Sequence, residues 1–203
     1  MAACEGNGNA DQRIGEALIK EVIEEELREV PAAEEVPPLT PLTNQVQSEQ
    51  EKKMVLELAK MIRIIGDNVK NNQPLEDAID GIRRAPGSKW DLFQQVAAKV
   101  FEQGITWERI AVLFYVAGRL AVKLVEAHLP QSVREIMQWT VDFFRNNLLS
   151  WIREHGGWIS SFSELAAASM RTVSGVQLYG VLLIFVAGLA LGSLITLKLL
   201  PRQ

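Results

Sequence analysis

The 203-residue chain contains a single cysteine, Cys4, and only two histidines, His128 and His155. One thiol cannot close an intrachain disulfide, and neither histidine has a second histidine or a cysteine at metal-ligand spacing. No metal site is expected, and the lone thiol suits a reducing compartment. A glycine-rich phosphate loop and a nucleophile elbow are also missing. Nothing therefore points to catalysis or to a bound cofactor. At a net charge of −4 the chain offers no concentrated basic face, so nucleic acid is not an expected partner. The opening stretch MAACEGNGNADQR has no apolar core of the kind a secretory leader needs. Strand-type alternation is absent throughout.

What remains is helix. Hydrophobic residues make up 48% and charged residues 23%, the balance of a globular chain, and the length suits one domain of roughly 150 residues with tails. Residues 1–10 are rich in Gly, Asn and Ala and are expected to be disordered. From Asp11 to Val30, Ile14, Leu18, Val22 and Ile19, Ile23, Leu27 recur at helical spacing, with Glu24, Glu25, Glu26 and Glu29 on what should be a solvated face. Pro31, Pro37, Pro38 and Pro41 then predict a flexible linker over 31–49. A second amphipathic helix is expected from Gln50 to Asn71. Pro74 can open a further helix and Gly81 close it, and Ser88 can cap the helix after that, up to Gly104. Thr106 can cap one from Trp107 to Leu129. Pro130 and Ser132 restart the chain toward Asn147, and Leu148–His155, the Gly156–Gly157 break and a short helix from Trp158 follow. The folded bundle should end near residue 163, with a linker over 164–175.

Two segments stand apart. Positions 110–127 carry only Arg119, Lys123 and Glu126 as charges, so this helix should be the apolar centre of the bundle. Residues 176–197, VQLYGVLLIFVAGLALGSLITL, carry none. About 20 helical residues cross a hydrocarbon core of roughly 30 Å, so 176–203 reads as a C-terminal transmembrane tail anchor, with Leu178, Phe185, Gly188 and Leu194 inside it. The expected fold class is thus all-α, a helical bundle around a central apolar helix, followed by that anchor.

Three stretches resemble, in order, the homology motifs of the Bcl-2 apoptosis family. LAKMIRIIGD (58–67) is similar to its death motif, with Leu58, Ile62, Ile65 and Val69 as the apolar stripe around Gly66 and Asp67. ITWERIAVLFYVAGRLAVK (105–123) resembles the first homology motif. Trp107 and Arg109 match there, while Thr106 and Glu108 replace the customary Asn and Gly. WIREHGGW (151–158) resembles the second, with Gly156 and Gly157 as a helix break between Trp151 and Trp158. The resemblance covers about 51–202 and weakens in the acidic first helix. Within the family, 113–125 and 137–152 look more like the Bax branch than like the survival proteins.

That resemblance implies a non-enzymatic, pro-apoptotic effector of the cytoplasm and the mitochondrial outer membrane. Its implied partners are membrane lipid, further copies of itself, and pro-survival and death-motif-only members of the family. Activation would insert it in the membrane, drive oligomers through the death motif and groove, and release cytochrome c to trigger caspases. An incoming Asp67 would meet Arg109 at the groove, and Glu108 beside it either weakens that attraction or simply favours the helix dipole from the first turn. The helices from Trp107 to Asn147 would leave the core for the bilayer. The alternatives are a survival protein that captures death motifs, and a tail-anchored adaptor that forms no pore.

Overall fold

A computed structural model of the chain describes residues 5–28, 30, 31, 36–39, 46–69, 77, 79–81 and 89–170. The described residues include seven α-helices: α1 (Glu5–Leu27), α2 (Glu49–Val69), α3 (Lys89–Val100), α4 (Trp107–Glu126), α5 (Val133–Phe143), α6 (Leu149–Glu154) and α7 (Gly157–Met170). A 3₁₀ turn over Pro130–Ser132 leads into α5, and a π turn over Phe144–Leu148 joins α5 to α6. No strand occurs among them.

The apolar run in the middle of the sequence sets the architecture. Every residue of α4 from Ile110 to Gly118 is buried, and α1, α2, α3, α5 and α7 all pack against this one helix. It starts where expected, because the Thr106 hydroxyl accepts the Arg109 N–H at 3.3 Å and satisfies one of the free donors of the first turn. Its two internal cations are matched from outside: Arg119 lies 3.9 Å from Glu26 of α1, and Lys123 4.0 Å from Asp80. Helix α1 lies along α4 with Ile14, Leu18, Ile19, Val22, Ile23 and Leu27 all buried.

Several boundaries differ from the sequence expectation. Residues 5–10, expected to be disordered, form the first turns of α1. Once Ile14 and Leu18 dock, extending the helix backwards avoids the cost of nucleation. Helix α7 runs on to Met170, through the first part of the segment expected to be a linker, because Ser161, Leu165 and Ala168 still face the core. Leu39, inside the proline-rich stretch expected to be flexible, is only 3% exposed, since Pro37 and Pro38 forbid helix but not burial. Glu25 and Glu26 are half-buried and reach Arg63 and Arg119 instead of forming a purely solvated face. Among the described residues no helix is long and apolar enough to cross a membrane. Leu178, Phe185, Gly188 and Leu194 of the expected anchor lie outside the described residues, as do Cys4, Pro74 and Ser88.

Candidate functional site

Helix α2 begins at a cap that its sequence encodes. The Ser48 hydroxyl accepts the Glu51 N–H at 3.1 Å, and the Glu51 carboxylate accepts the Gln47 N–H at 2.7 Å, a close variant of the capping box. The stripe Leu58, Ile62 and Ile65 is 0%, 1% and 3% exposed, turned into a core shared with α1, α4 and α7. At roughly 1.5–3 kcal/mol for each fully buried aliphatic side chain, this stripe is what docks the helix. Two ion pairs fix its register on α1: Arg13–Glu51 at 2.7 Å and Arg63–Glu25 at 3.1 Å. Pairs of this kind contribute about 0–1 kcal/mol when solvent reaches them, so they orient the helix more than they hold it. The Arg13 hydrogen bond is the main reason the Glu51 carboxyl is held below its ordinary value, against the upward pull of burial.

Gly66 is the point of closest approach. A Cβ built there would overlap the Tyr115 ring of α4, so only glycine lets the two helices meet at this level. Asp67, the next residue, is exposed. Only the backbone of Val69 is described.

The remaining motif residues gather at the other end of α4. Trp107, 2% exposed, meets Trp151 edge-on at 5.2 Å between ring centroids and Trp158 at 5.5 Å. Trp158, 1% exposed, continues the cluster to Phe114 and Phe144, each at 6.3 Å. The break between α6 and α7 makes this possible. Gly156 and Gly157 have φ of 87° and 70°, two successive left-handed residues that would cost a side chain roughly 1–2 kcal/mol each. Trp151 and Trp158 thereby reach Trp107 from two differently directed helices. Glu108 sits half-buried in the first turn of α4, where the helix dipole favours a carboxylate.

Residues 42–158 match the family described as Bcl-2: Apoptosis regulator proteins, Bcl-2 family. The chain belongs to the Bcl-2 family. It is 35% identical to the Apoptosis regulator BAX of Bos taurus over 138 residues, covering 68% of this chain and 66% of that protein, just under two thirds of its length. Among solved structures it is similar to chicken BOK, with a TM-score of 0.60 at 22% identity over 77% of this chain and 96% of that one. It is also similar to Trichoplax adhaerens trBcl-2L2 bound to trBak BH3, with a TM-score of 0.56 at 17% identity over 76% and 98%. At these identities the two structures bear on the fold, which is the all-helical Bcl-2 fold.

The expected meeting of Asp67 with Arg109 concerns an incoming death motif; within the single chain Arg109 has other partners. The Arg109 guanidinium is engaged by Gly104 and Gln103 of the loop before α4. Sequence reasoning also passed over Asp11, which is 6% exposed and secures the second homology motif. Its carboxylate accepts the Trp158 N–H at 3.2 Å, and its backbone carbonyl accepts the Trp158 indole N–H at 2.8 Å. A Cβ on Gly157 would stand 2.6 Å from the same carboxylate. No local pattern announces a partner 147 positions away.

Burial raises the Asp11 carboxyl above its ordinary value, opposed by the Trp158 N–H and the positive charge of Arg153. A carboxyl with a raised folded pKa binds its proton more readily folded than unfolded, so stability falls as pH rises from the unfolded pKa to the folded one. Asp11→Asn keeps the acceptor oxygen without the charge. It should hold or raise the melting temperature at neutral pH and flatten its decline across that window. Asp11→Ala leaves a buried N–H unmet and should cost about 1–3 kcal/mol. Melting curves at several pH values decide: an Asn variant as unstable as the Ala variant would show that the ionised carboxylate itself stabilises the fold.

Proposed function

We propose that this chain is a pro-apoptotic effector of the Bax type. On activation it inserts in the mitochondrial outer membrane, oligomerises through its death motif and groove, and permeabilises the membrane, so that cytochrome c leaves and caspases are activated. The observation that carries this reading is the state of α2. Its motif stripe is buried within its own chain, with Gly66 seated on Tyr115. A helix held in cis by apolar burial can make the same contacts on a second copy, so release converts an intramolecular fit into an intermolecular one. The identity to BAX supports the Bax branch. The central helix α4 requires no covalent change to meet lipid, since Arg119 and Lys123 are its only charges between Ile110 and Val125.

The uncharged segment 176–197 is the proposed anchor, placing the protein between cytoplasm and mitochondrial outer membrane. A central Lys or Arg in such a segment would cost about 2.5–3.5 kcal/mol on insertion scales, and this one has neither. Deleting 176–203 should leave a folded protein that is absent from mitochondria and releases no cytochrome c after a death stimulus, as read by cell fractionation. Stable mitochondrial residence of the truncated chain would refute the anchor.

A second reading is a survival protein that captures death motifs without forming pores. The 29% identity to Bcl-2-like protein 1 of Gallus gallus, over 63% of this chain, supports it. The two readings part in a release assay: an effector empties vesicles, and a survival protein blocks another effector from doing so.

A further inference from the structure

Arg109 is committed twice to the loop preceding its own helix. Its Nη1 donates to the Gly104 carbonyl at 2.8 Å and its Nη2 to the Gln103 side-chain oxygen at 2.9 Å. The loop is shaped for this hold. The Gly104 N–H donates to the Phe101 carbonyl at 2.9 Å, and the Phe101 ring stacks on Phe143 of α5 at 5.8 Å. The Arg109 N–H is fixed in turn by Thr106. Gln103 itself is exposed, and its side-chain oxygen accepts from the guanidinium. Of the two acceptors, Gly104 contributes main chain, which any residue there would supply. Gln103 is the one that its side chain defines.

We propose that Gln103 sets the affinity of this protein for death-motif helices by restraining Arg109 on the loop. The inference rests on the reading, given above, that Arg109 receives the aspartate of an incoming death motif. The partner in question is an amphipathic helix carrying a carboxylate directly after a small residue, the chemistry of Gly66–Asp67 in a second copy of this chain. Its carboxylate has to draw the guanidinium away from an amide oxygen already in place. Both acceptors compete for the same terminal nitrogens, so weakening the internal one strengthens the external one. Replacing the amide with a carboxylate has the reverse effect, because a charged acceptor holds arginine more firmly than a neutral one.

The test uses the full chain and a synthetic peptide copying residues 51–71, titrated by calorimetry or fluorescence anisotropy. Gln103→Ala should bind the peptide roughly two- to fivefold more tightly, the range an exposed polar contact supports. Gln103→Glu should bind it more weakly, with the difference shrinking as salt rises. Arg109→Ala should lose affinity, and adding Gln103→Ala to it should change nothing more. If Arg109→Ala binds normally, the underlying role of Arg109 is wrong. If Arg109→Ala binds weakly while the Gln103 variants match the parent, that role stands and the restraint by Gln103 is refuted. Shifts of the same sign in Gln103→Ala and Gln103→Glu would likewise refute it, since a structural role has no reason to reverse with charge.

Discussion

Replacing Arg145 with alanine should destabilise the fold by about 3 kcal/mol, the lower end of what a stranded buried charge costs. The charge left behind is Glu16 of α1, whose side chain is fully buried. Arg145 Nε donates to its Oε1 at 2.7 Å, and Gln12 donates to the same oxygen at 2.8 Å. The contact raises the arginine above its usual value, the hydrogen bond it donates to Glu16 being the largest cause. The guanidinium side is 35% exposed, which places the cost at the lower end of the range. The π turn Phe144–Leu148 brings Arg145 to this point and buries Phe144 on Gly15, where a Cβ would overlap the ring. For a chain of this size the loss corresponds to a fall of roughly 6–12 °C in Tm. Changing Glu16 and Arg145 together to leucine should recover much of it, because the desolvated charge is then gone as well. A loss below about 1 kcal/mol in Arg145→Ala would mean that the other partners of Glu16, Gln12 among them, satisfy it without the arginine.

That ion pair also marks where sequence reasoning stopped. Helical spacing identified the buried faces of α1 and α2, because a 3.6-residue period is a property of neighbours. The near absence of charge in 110–127 placed α4 at the centre, and Thr106 announced its start. Gly156–Gly157 between two tryptophans announced the break that brings Trp107, Trp151 and Trp158 together. Asp11 with Trp158, and Glu16 with Arg145, were invisible for the opposite reason. Each joins polar groups of residues more than 100 positions apart. Asp11 read simply as the first residue of a helix, and Glu16 as one acid among many in an acidic segment. Arg109 was legible as a motif residue, but its hold on Gln103 depends on how the loop before α4 turns, which spacing does not encode. Helix α7 was cut short because serine and alanine carry little apolar signal, although Ser161 and Ala168 are buried.

On membranes, Ile62→Glu should eliminate crosslinked dimers and lower the stability of the free protein. Ile62 is 1% exposed, so a carboxylate there has to shed its hydration or stay protonated, at a cost of several kcal/mol, both in the chain's own core and in a partner's groove. The same substitution at Ile64, which is 47% exposed on the opposite side of α2, should change neither property. This contrast separates the buried stripe from the helix as a whole. Circular dichroism and melting of the free variants establish that α2 remains part of a folded domain. Dimers that persist in Ile62→Glu and vanish in Ile64→Glu would assign assembly to the outer face and leave the stripe a purely structural role.

Effector function is tested most directly by dye release. Vesicles with the lipid composition of the mitochondrial outer membrane would be loaded with a fluorescent dextran and mixed with the full chain. An activating death-motif peptide is then added. Effector function predicts little release before the peptide and near-complete release after it, with none from Ile62→Glu under the same conditions. Vesicles that stay sealed with the peptide present, and that the chain protects against a known pore-former, would contradict the account and establish a survival protein instead.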